Sequence, residues 1–98
     1  MTKRNEHNIS DLVDAALRRL SFDQTIVAGK VEGAYHRVVG EMISKLTYRC
    51  EYEAQTHVLY VRLASPALRS EMTMHASGLR QRINQAVGSE EVRHIVFR

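Results

Sequence analysis

Arginine and tyrosine on alternating positions are the residues of this sequence best suited to hold an anion. In HVLYVRL, residues 57–63, Leu59, Val61 and Leu63 alternate with Val58, Tyr60 and Arg62. In TYRCEYEA, residues 47–54, Tyr48, Cys50 and Tyr52 alternate with Arg49, Glu51 and Glu53. Both runs have the period of two of a half-buried strand, and together they read as a hairpin turning near Gln55 and Thr56. If Ala54 faces His57, then Tyr52 pairs with Leu59, Cys50 with Val61 and Tyr48 with Leu63. That register gathers six apolar side chains on one face, and a one-residue slip would scatter them. It also sets Arg49 directly opposite Arg62 on the other face, with Glu51 on the diagonal and Tyr60 alongside. Like charges placed opposite one another destabilise a strand pair, and the arrangement is easier to understand if an anion sits between them. Cations beside an exposed ring on an open sheet can hold a nucleic-acid strand, with phosphates on the arginines and bases on the ring. The alternative is a solvated face relieved by Glu51 and Glu53. In that case Val58, Tyr60 and, from a last strand, Val96 make an apolar patch for a partner protein or a second copy.

A second basic set follows. Arg69 and Arg80 are eleven residues apart, and eleven steps of ~100° return almost to the starting angle, ~16 Å along a helix axis. Thr73, Ser77 and Asn84 share that polar stripe and could add neutral phosphate contacts, although every surface helix has a polar face. Other chemistries find little support. The five histidines, at 7, 36, 57, 75 and 94, form no i, i+4 pair and have no companion cysteines, so no metal or other cofactor is expected. Cys50 is alone, which rules out an internal disulfide, and its inward position reads as a small core residue. No nucleophile–base arrangement is visible, so the expectation is no catalytic residue and no enzyme.

These side chains must be positioned by a small number of elements. Residues 1–8 are polar and are expected to fray, leaving residues 9–98 as one domain. Apolar residues at 9, 12, 13, 16, 17 and 20 make one helix face, with Asn8 or Ser10 as its cap. Ser21 then caps a short helical piece carrying Phe22, Ile26 and Val27. GKVEG, residues 29–33, shapes a helix junction, and a further helix turns Val31, Ala34, Tyr35, Val38 and Val39 inward until Gly40 ends or bends it. After the hairpin, Ser65 caps a long helix with Pro66 at its first position, and Gly88 stops it. Its inward stripe is Leu68, Met72, Ala76 or His75, Leu79, Ile83, Ala86 and Val87. VRHIVFR closes the chain as a strand with Ile95 and Phe97 on one face. The fold class is therefore α+β: helices, a β-hairpin, a long helix and a final strand, with three strands covered by helices on one side.

Composition sets the outer limits. The chain has 98 residues, 44% hydrophobic and 26% charged, which suits one folded domain and not a disordered segment. The net charge is only +3, but every basic residue after position 47 is an arginine. Arginine grips phosphate with a planar fork and stacks on rings, which lysine does not. No targeting stretch and no long apolar run are visible, so a soluble, cytoplasmic protein without membrane contact is expected.

Three segments carry a resemblance. AYHRVVG (34–40), LYVRLASPALRSEM (59–72) and INQAVGSEEVRHIVFR (83–98) resemble the DciA-like proteins, a bacterial family, from the Ile9 helix to Arg98. Tyr35 stands where the family usually has tryptophan, and many members carry a long extension, helping to engage the helicase, beyond the point where this chain stops. The resemblance implies a KH-like fold, DNA binding and assistance in loading the replicative helicase. The G-x-x-G loop with which KH domains clamp a nucleic-acid backbone is missing, since GKVEG is G-x-x-x-G. Two other readings stay open: a protein-interaction module that docks a helicase or forms a weak homodimer, and an RNA- or ribosome-associated binder.

Overall fold

The apolar spacing that begins at Ile9 keeps its phase far beyond residue 20, and the backbone follows it. In this computed structural model, residues 2–98 are described, with side chains from Ile9 onward. The side chains of residues 1–8, where a frayed start is expected, lie outside the described set. Helix α1 runs Thr2–Lys45 and replaces the three expected pieces. Ser21 is therefore no cap, and GKVEG is no junction. A glycine inside a helix costs only ~1 kcal/mol, too little to break a helix whose flanking residues bury Val27, Val31, Ala34 and Tyr35. The glycine that does bend α1 is Gly40, at φ 86° and ψ 172°, a conformation that a side chain would strain. His36 Nδ1 and Ser44 Oγ bridge that kink at 2.5 Å and hold Glu41–Lys45 against the rest of the helix.

Strands β1 (Thr47–Glu53) and β2 (Val58–Leu63) pair antiparallel, and β3 (His94–Phe97) pairs parallel to β2, giving the order β1-β2-β3. The α+β class, the hairpin and the three-stranded sheet are as the sequence implies. Arg49 faces Arg62, Cys50 faces Val61 and Tyr52 faces Leu59, all in the expected register. Tyr48 does not face Leu63. A bulge between Thr47 and Arg49 gives Thr47 that place and leaves Tyr48 75% exposed. Thr47 has a reason to be inside: its Oγ1 donates to the Ile43 carbonyl at 2.8 Å and accepts from the buried Tyr35 hydroxyl at 2.9 Å. Ala54–His57 form the hairpin turn, with His57 in the left-handed region at φ 62°.

Ser65 Oγ accepts from Leu68 N, and Pro66 opens helix α2 (Pro66–Met74) as expected. The helix does not continue to Val87. It breaks at His75 (φ −102°, ψ 10°), and α3 spans Ala76–Val87, ending on left-handed Gly88. The break lets α2 lie against β2 and β3 while α3 packs on α1. The core between helices and sheet holds Val31, Ala34, Tyr35, Leu59, Val61, Met72, Leu79, Ile83 and Val92. Asn84, expected on a polar stripe, is also inside, at 3% exposure. Its Oδ1 accepts from Val92 N at 2.8 Å and its Nδ2 donates to Val92 O at 3.0 Å. One side chain thus satisfies a whole buried peptide position that no strand pairs.

Replacing Asn84 with alanine orphans both backbone groups of Val92, and should destabilise the domain by about 3 kcal/mol. A urea unfolding curve should show a lower midpoint at unchanged slope. By contrast, an added Cβ at Gly29 would meet nothing within 4 Å. Gly29→Ala should therefore raise stability by ~0.5–1 kcal/mol, whereas a true junction there would lose stability.

Candidate nucleic-acid interface

Because α1, α2 and α3 all lie on the inner side, the alternate residues of each strand face water. The register sorts them into rows across the sheet. Glu53, Val58 and His94 form one row, and Glu51, Tyr60 and Val96 the next. In the third row Arg49 faces Arg62, and the parallel ladder continues one residue past β3. Arg98 N donates to Val61 O at 2.8 Å and Leu63 N donates to Arg98 O at 3.0 Å, which sets Arg98 beside Arg62. Three arginines therefore stand in one line across three strands, over ~10 Å. They line a depression of about 260 Å³ together with Tyr60, Glu51 and Glu53.

The arginines are not equivalent. Arg49 Nε contacts Glu51 Oε1 at 3.1 Å, with both side chains more than half exposed. Such a pair contributes little and is easily exchanged for another anion. Arg98 folds back over Tyr60, its guanidinium carbon 4.5 Å from the ring centroid. One face of the ring is thus already taken by a planar cation, which itself offers a surface on which a base can stack. Among the described residues, neither Arg62 nor Arg98 has a carboxylate partner in an ion pair. Tyr48, turned out by the bulge, adds an exposed ring next to Arg49 in the chain.

Arg98 and Tyr48 were not expected here. The first was legible, because positions 94, 96 and 98 alternate outward. The second was not, because a bulge leaves no mark in an alternating pattern. Arg69 and Arg80 are not brought together with the row. The break at His75 separates them into two helices, so the eleven-residue count no longer fixes a shared side. Arg69 is half-buried, with its Nε enclosed and without a hydrogen-bond partner. Arg80 Nη1 approaches Glu90 Oε2 at 3.8 Å and lies in a separate hollow with Arg93 and His94 beside β3. Asn84 is withdrawn from any phosphate contact by its bonds to Val92. Val58, Tyr60 and Val96 do adjoin as expected, but Arg98 covers part of the patch.

Residues 8–97 match the family described as the Dna[CI] antecedent, DciA. The chain belongs to the DciA family. That family is linked to loading of the DnaB helicase and to DNA replication. The span of this DciA domain that matches takes in Arg49, Tyr60 and Arg62 and ends one residue before Arg98. No curated protein and no solved structure matches the chain. Among the described residues of the DciA domain, no helix is long and apolar enough to cross a membrane.

A thiol and two hydroxyls packed under the sheet make the stability of the DciA domain depend on pH. Burial pushes the Cys50 thiol up to about 12, and Glu32 and Glu51 add to the shift. Burial also raises the Tyr35 and Tyr52 hydroxyls, the latter helped by its hydrogen bond to Glu91. Above the ordinary thiol value of about 8.5 the unfolded chain loses a proton that the folded chain keeps, so stability falls as pH rises from there. The fall continues until the folded thiol itself ionises, and the two tyrosines add the same sign from about pH 10. Urea midpoints measured at rising alkaline pH should decline. Cys50→Ala should flatten the first part of that decline, and a midpoint independent of pH would contradict the assigned burial.

Proposed function

We propose that this protein is a non-enzymatic DNA-binding accessory of replication that helps to load or stabilise the replicative helicase on DNA. The observation that carries the DNA contact is the line of Arg49, Arg62 and Arg98 across an open sheet face, with Tyr60 beside it. Three guanidinium groups in one row repel one another when the face is empty, and a phosphate between them removes that repulsion. The row takes the backbone of a single strand, while Tyr60, the Arg98 plane and Tyr48 offer stacking surfaces to unpaired bases. Arg69 and Arg80 lie outside this row, and if they touch DNA they do so as separate phosphate contacts. The helicase contact is a protein contact on another surface or at the Val58/Tyr60/Val96 patch. The protein performs no chemistry, needs no cofactor and works in the cytoplasm.

The test is a salt titration of single-stranded DNA binding by the native protein and by Arg49→Gln/Arg62→Gln. Each phosphate contact contributes ~0.7 to the log–log slope on single strands, so the double variant should lose about 1.4 of slope and at least about tenfold in affinity. Unchanged DNA binding by the variant removes the row as the site. Tyr60→Ser, assayed separately for DNA binding and for helicase capture, distinguishes a stacking ring from a protein-docking one. Equal or stronger binding to RNA of the same sequence would favour an RNA-associated role.

A further inference from the structure

The stretch of α1 from Ile9 to Asp23 is not covered by the sheet or by the other helices. Partial burial begins at Gln24 and full burial at Val31, while Ile9 to Asp23 are exposed throughout. The molecule measures 65 × 24 × 20 Å, and its radius of gyration is 18.1 Å, against about 13 Å for a compact domain of this length. The overhang is nevertheless apolar along one side. At ~100° per residue, Ile9, Val13, Ala16, Leu17 and Leu20 project from the same side as Val27, Val31, Ala34, Tyr35 and Val38, which the domain itself covers. Leu12 flanks the stripe. Ile9, Leu12, Val13, Leu17 and Leu20 remain 64%, 69%, 54%, 58% and 53% exposed. A lone helical arm of this length is marginal in water without an apolar partner.

We propose that this arm pairs with the same arm of a second copy, antiparallel and two-fold symmetric. From Val27 onward the stripe is occupied by the chain's own α3 and β1, so a partner helix can lie only along residues 9–26. A parallel partner would drive its own body into that of the first copy, whereas an antiparallel partner sets the two bodies at opposite ends of the paired arms. The overhangs then match in length. With the axis between Ala16 and Leu17, Leu17 packs on the partner's Ala16 and Val13 on the partner's Leu20. The five exposed residues offer roughly 500 Å² per copy, or about 1,000 Å² in the pair, at the lower end of specific interfaces. An interface of this size fits a weak, reversible association. This surface is separate from the Val58/Tyr60/Val96 patch and does not depend on the DNA-binding reading.

Sedimentation or light scattering of the full chain should show the mass doubling between about 1 and 300 μM. Leu17→Glu should hold it at monomer mass, with urea unfolding of the body unchanged, because Leu17 touches no other element. In a Cys50→Ala background, mixing Val13→Cys with Leu20→Cys should give a disulfide-linked heterodimer, and neither variant alone should cross-link efficiently. Monomer mass throughout, a dimer indifferent to Leu17→Glu, or cross-linking within single-variant samples would each overturn the proposal. So would a monomer in which Leu17→Glu abolishes only helicase capture, which would assign the arm to the helicase.

Discussion

Two hydrogen bonds from one amide decide where the last strand lies. Asn84, near the end of α3, holds both the N–H and the C=O of Val92, just before β3. With that peptide position fixed and its valine buried in the core, the chain can only run on beside β2, and in parallel. The hairpin turn supports the same geometry from the other side. His57 O accepts from Arg93 N, and the Tyr52 hydroxyl and His57 Nδ1 both reach Glu91. Were β3 displaced by one residue, Arg98 would leave the line of Arg49 and Arg62, and Ile95 and Phe97 would leave the inner face.

The same division of faces explains how a row of like charges is tolerated. Most of the apolar gain of the sheet comes from its inner side, where Leu59, Val61 and Leu63 are almost wholly buried. That gain is far larger than the repulsion between exposed cations in water, which is screened within about 10 Å. Glu51 and the Tyr60 ring soften it further. The outer face is thus free to carry a charge pattern that the packing of the sheet does not require.

Much of this was readable in the residues. Alternation in two runs gives the hairpin register and with it the Arg49–Arg62 pair, because only one register sets Cys50, Tyr52, Leu59, Val61 and Leu63 on one face. Ser65-Pro66 and Gly88 marked helix ends through their backbone preferences. The length of α1 is hidden by Ser21, Gly29 and Gly33, whose types suggest breaks; at the glycines a propensity of ~1 kcal/mol yields to the burial of the neighbouring Val27, Val31, Ala34 and Tyr35. The break at His75 and the bulge at Tyr48 were missed for the opposite reason. Each is imposed by tertiary packing; neither has a glycine or a proline at the irregular residue itself, although Gly78, in the first turn of α3, is a residue that permits a kink in this helix. Asn84 looked like surface because its type is usually exposed, and only its partner eight residues later reveals the role.

The parallel pairing of β3 has a consequence for how the chain acquires its shape. β1 and β2 are joined by a four-residue turn and can zip together from local contacts alone, while β2 meets β3 only after 36 residues of separation between Val58 and His94 have been closed. Closure of the larger loop is the slower event. Until it happens, the inner edge of the hairpin presents unpaired amides and carbonyls next to Leu59, Val61 and Leu63, the most adhesive surface this chain ever shows. Helices α2 and α3, which lie between the two strands in the chain, are therefore the timer of its solubility as well as the roof of its core.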